Sequence, residues 1–88
     1  MPTISTFFGI SVRMFYNDHP PPHYHVAYGS HRAIVAIGSG ALLHGFLPAG
    51  ALRVVREWAG RHEAELLENW ERARMKAPLE RIQGADQE

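Results

Sequence analysis

The sequence predicts an α+β domain: a four-stranded antiparallel meander, then a long C-terminal helix, continuous or kinked near Gly60, packed on one face. Three observations predict it. Apolar residues alternate with period two through the first half, glycine turns punctuate that alternation, and a stripe spaced by three and four fills the second half. At 88 residues, 45% of them hydrophobic, the chain suits one small core. The domain is placed over residues 1–80, with residues 81–88 as a flexible tail.

In the first strand, Phe8, Ile10, Val12, Met14 and Tyr16 share one face, and Phe7, Gly9, Ser11, Arg13 and Phe15 take the other. Asn17-Asp18 ends it, because these side chains bond their own backbone in turns. Pro20 to Pro22 cannot donate to a ladder, so they form a polyproline connector.

His23 to Tyr28 alternates again, and Gly29-Ser30 suits a two-residue hairpin turn with glycine first. That loop pairs Tyr28 with His31, Val26 with Ala33 and Tyr24 with Val35. His23 and His25 then share the reverse face with Arg32 and Ile34. A turn at Gly38-Ser39-Gly40 leads to a fourth strand over Ala41–Leu47. A three-residue turn puts Leu43 and Leu47 in the core, whereas a two-residue turn would put His44 and Phe46 there. The first register is preferred because it buries leucines.

Pro48 suits the first turn of a helix, where its missing N–H is no loss. Leu52, Val55, Ala59, His62, Leu66, Trp70 and Ala73 make the apolar stripe, with Arg53–Glu57 and Glu68–Arg72 on the polar side. Trp58, beside the stripe, reads as core and His62 as a satisfied boundary residue. Pro78 closes the pattern. An unbroken helix here would run on the order of 40 Å, longer than strands of roughly 20–27 Å. The chain either breaks near Gly60 or leaves Leu66, Leu67 and Trp70 for another chain. The second outcome is favoured and implies a homodimer anchored by Leu66 and Trp70.

Nine Lys/Arg balance nine Asp/Glu, which argues against a duplex-DNA binder and leaves RNA open. No apolar run approaches the roughly 18–20 residues of a membrane span, so no membrane association is expected. No cysteine is present, so disulfides and thiolate chemistry are excluded. A cytoplasmic location is the default.

Candidate chemistry gathers in Asp18-His19-Pro20-Pro21-Pro22-His23-Tyr24-His25. His23 and His25, two apart on a strand, project from one face and can chelate a divalent metal with His19 or Asp18 as the third ligand. The same histidines could serve as acid and base on RNA, with Arg13 or Arg32 against phosphate charge; the catalytic candidates are His23, His25 and Arg32. No ordered nucleophile–base–orienter set can be read, so enzyme function is the lesser reading and no cofactor beyond that metal is expected. The third reading is a contact surface. Phe7, Phe15, Phe46, Arg13, Arg32, His23, His25 and His44 would lie together on the helix-free face and hold a protein partner through aromatic and arginine anchors.

The start Met1-Pro2-Thr3-Ile4, the Phe7-Phe8-Gly9-Ile10 stretch, the histidine–proline run, Gly45-Phe46-Leu47-Pro48 and Glu68-Asn69-Trp70-Glu71 occur in colinear order over roughly residues 1–80. Together they resemble a bacterial family of short proteins, domain of unknown function 4160. The resemblance implies one partner of a two-gene, toxin–antitoxin-like cassette, bound to the protein from the neighbouring gene. It carries no catalytic residue. Family members often bear acids near Ala41 and His44, where this chain has none.

Overall fold

The computed structural model describes residues 2–88; Met1, part of the family-like start, lies outside them. Five antiparallel strands form a meander in chain order: β1 (Thr3–Phe7), β2 (Ile10–Arg13), β3 (His23–Tyr28), β4 (His31–Ala36) and β5 (Leu42–Gly45). Helices α1 (Ala49–Arg61) and α2 (Glu63–Arg74) follow, then a short 3₁₀ turn, Ala85–Gln87. The α+β class and the meander match expectation. The strand count and the single helix do not.

The extra strand arises because the alternation starting at Phe8 hides a hairpin. Phe8 and Gly9 take φ of 52° and 77°, so both lie in the left-handed region that a type I′ turn demands. Phe7 therefore belongs to β1, pairs with Ile10 and is buried beside it, rather than lying on the outer face. Ile10, Val12 and Met14 are core as expected, while Phe8 and Tyr16 are exposed.

The β3–β4 hairpin has the expected register: Tyr28 faces His31, Val26 faces Ala33 and Tyr24 faces Val35. Between β4 and β5 the register shifts, with Ile34 opposite His44 but Val35 opposite Leu42. Leu43 falls in this irregularity and is 44% exposed, which corrects its placement in the core; Leu47 is buried as expected. Gly45 fits only as glycine. A Cβ there would lie 2.1 Å from the Arg32 carbonyl oxygen, and its φ is +81°.

The helix breaks at His62, not at Gly60, which lies inside α1. A straight run of these residues would span about 39 Å at 1.5 Å per residue. The whole molecule measures 33 × 27 × 22 Å. The chain bends back, so Leu66 and Trp70 are 0% and 5% exposed. Their proposed role as an intermolecular interface is thereby corrected: both belong to the core with Trp58, Val55, Tyr24 and Val35.

The segment after α2 packs as well, against the expectation of a flexible tail. Ile82 is buried, its N–H donates to the Ile4 carbonyl at 2.7 Å, and its own carbonyl accepts from Ser5 Oγ at 2.8 Å. Trp58 Nε1 donates to the Gln83 carbonyl. This stretch runs against the outer edge of β1 and covers it.

Candidate functional site

The connector between β2 and β3 is held from both sides. Met14 N–H donates to Pro2 and Asn17 N–H to Ala73 at the end of α2. Asn17 has φ 58°, a left-handed conformation that asparagine tolerates. These ties bring Asp18 over the start of β3, where His23 and His25 project from the same side.

Asp18 Oδ2 lies 2.8 Å from His23 Nε2 and 3.0 Å from His25 Nε2. The His19 backbone N–H donates to the other carboxylate oxygen. Partial burial would raise the Asp18 carboxyl, but the contacts with His25 and His23 and the His19 N–H outweigh it and hold it below its ordinary value. His23 Nδ1 is 2.7 Å from the Pro21 carbonyl oxygen, and its ring packs on Trp70 with centroids 5.1 Å apart. His25 stacks on Phe15 at 4.0 Å. The donor atoms of Asp18, His23 and His25 all lie within 4.8 Å of one another.

Beside this triad the helix-free face of the sheet carries a groove of about 310 Å³, lined by Arg13, Phe15, His25, Arg32, Ile34 and His44 among others. The row follows from register: Arg13 pairs with His25, His25 with Ile34, and Ile34 with His44. Arg32 is tied to its own hairpin, donating from Nη1 to the Gly29 and His31 carbonyls. Arg13 Nε is buried and has no hydrogen-bond partner among the described residues.

The structure thus brings together Asp18, His23 and His25, and separately Arg13, Phe15, His25, Arg32 and His44. It does not bring in the rest. His19 is turned to solvent, its side chain 87% exposed. Phe46 packs on His31 and lies outside the groove lining. Trp70 supports His23 from inside. Asn69, given no role by the sequence beyond the family-like Glu68–Glu71 stretch, is 1% exposed and pairs with the Glu80 backbone through both amide atoms. Its signal was a poor helix former next to a tryptophan in mid-helix.

A family model described as a domain of unknown function, DUF4160, matches residues 9–71, spanning β2 through most of α2. The chain belongs to this family. DUF4160 therefore covers both the histidine triad and the groove. Neither a curated protein nor a solved structure matches the chain. Among the described residues no helix is long and apolar enough to cross a membrane.

Proposed function

We propose that this DUF4160 protein is a small cytoplasmic bacterial interaction module, one member of a toxin–antitoxin-like pair, whose open sheet face receives an acidic segment of the partner protein. The observation that carries this reading is the groove. The helices lie on one side of the sheet, and the other side offers an aromatic floor at Phe15 flanked by Arg13, Arg32 and His44. Arg13 adds a buried N–H with no acceptor among the described residues, and a buried donor of this kind gains from an incoming carboxylate. Burial of Leu66 and Trp70 takes away the anchors expected for a homodimer, which favours a different protein as the partner.

The test is binding to the purified product of the neighbouring gene, followed calorimetrically. We expect a one-to-one complex that Arg13→Glu weakens at least about tenfold, because losing one side of a buried charge pair costs about 2 kcal/mol or more. His44→Glu should also weaken it, by setting a like charge against the acidic segment. His44 is exposed, so its variant tests the face without disturbing the fold. A complex indifferent to both changes overturns the reading, as does absence of any complex. Single-stranded RNA binding that both variants abolish would reassign the face to RNA.

A further inference from the structure

The His23 ring fixes its own tautomer. Pro21 O can only accept, so the nitrogen 2.7 Å away, Nδ1, carries the hydrogen. In the neutral ring Nε2 then bears a lone pair, and it points at Asp18 Oδ2 from 2.8 Å. Two lone pairs do not approach that closely without a proton or a metal cation between them. The group that fits also has a second imidazole nitrogen, His25 Nε2, at 3.0 Å from the same oxygen.

We propose that Asp18, His23 and His25 bind a divalent transition metal of the zinc type, with a coordination position left for an exogenous ligand. Two imidazoles and a carboxylate are a donor set for zinc and its borderline neighbours. Metal–ligand distances of about 2.0–2.1 Å place tetrahedral donors about 3.3 Å apart; Asp18 Oδ2 already lies 2.8 and 3.0 Å from the two imidazole nitrogens, and all three donors lie within 4.8 Å of one another. His23 has the supporting contact typical of a metal histidine, and His25 is oriented by stacking alone. Nδ1–H of His23 is held by a backbone carbonyl, the usual outer partner that orients a ligating ring, and the His23 ring is wedged against Trp70. His25 is oriented by its stack on Phe15. His19 is not a ligand here: its Nε2 stays 4.0 Å from Asp18 Oδ1 and its ring is in solvent. His25 also lines the groove, so the metal would stand at one end of the proposed docking face, although its binding does not depend on a partner protein.

The experiment uses untagged full-length protein, stripped with chelator and titrated with Zn²⁺, with Co²⁺ in parallel for its visible spectrum. We expect one equivalent bound with Kd about 1 μM or tighter, and an intense Co²⁺ absorption of a four-coordinate site. Asp18→Asn and His25→Ala should each weaken binding at least about tenfold with unchanged circular dichroism, while His19→Ala should leave it unaltered. No stoichiometric binding would overturn the proposal and leave an imidazolium–carboxylate pair in its place. Equal affinity in the His25→Ala and Asp18→Asn proteins, or loss confined to His19→Ala, would overturn it too.

Discussion

Asn69 shows how one polar side chain can organise a fold of this size. It sits in mid-helix, where asparagine is a weak helix former, yet it is almost wholly buried. Its amide acts as a short piece of β-strand: Nδ2 donates to the Glu80 carbonyl at 2.8 Å, and Oδ1 accepts from the Glu80 N–H at 2.9 Å. Both backbone groups follow the end of α2, so the clamp decides where the chain goes next. Asn69→Ala leaves that N–H and carbonyl without partners and is expected to lower stability by about 1–3 kcal/mol. Urea denaturation measures it. A loss below about 0.5 kcal/mol, the range of an inconsequential surface change, would mean that the segment docks without the clamp.

At the scale of elements, the break between α1 and α2 depends on residues far apart in sequence. His62 leaves helical geometry at φ −120°, ψ 25°, while its N–H still donates to Trp58 and Ala59. Its ring contacts Trp58, Nδ1 lies 2.5 Å from Glu65, and Nε2 engages Glu88, which also pairs with Arg61 at 2.6 Å. Burial would lower the His62 pKa, but the hydrogen bonds to Glu65 and Glu88 outweigh it and raise it above its ordinary value. The hydrogen bond to His62, with help from Arg61, holds Glu88 low. A raised histidine stabilises fully below its unfolded value, and the contribution is lost as pH climbs through the folded one. A depressed carboxylate stabilises above its unfolded value, and that share is lost as pH falls through the folded one. The clasp should therefore be strongest between the two, and melting temperature should decline as pH rises through the raised His62 value. His62→Gln should flatten that decline in thermal scans from about pH 5 to about pH 9; an unchanged profile would rule the clasp out as its source. The same residues explain what was legible. The β3–β4 register could be read because a glycine-first turn and alternation are local. A helix break near Gly60 was open to the sequence but not favoured by it, because Glu88, which engages the break residue His62, acts from 26 residues away. The Asp18–His23–His25 triad was half legible. Strand periodicity puts the histidines together, but only the connector's ties to Pro2 and Ala73 bring the carboxylate over them.

Over the whole molecule, the residues beyond Pro78 complete a core that would otherwise be open along β1. Only Leu79 and Ile82 are large and apolar there, too few for any period, which is why residues 81–88 read as a free tail. In the structure Ile82 enters the core cluster, Ser5 Oγ and Trp58 Nε1 donate to carbonyls of this stretch, and Arg81 reaches the Thr3 carbonyl. Removing residues 81–88 exposes the apolar contacts of Ile82, worth about 1.5–3 kcal/mol. It also strands two buried donors at about 1–3 kcal/mol each. A loss of at least about 3 kcal/mol is large for a domain whose total stability is of order 5–15 kcal/mol. In a chain this short it corresponds to a fall in melting temperature of about 12 °C or more. The shortened protein should also self-associate, because the edge of β1 then offers unpaired backbone groups to another chain. Calorimetry with light scattering on the 1–80 fragment checks both effects. A fragment that melts within about 2 °C of the full chain and stays dispersed would show that α1, α2 and the sheet form a sufficient core by themselves, and would return residues 81–88 to the role of a tail.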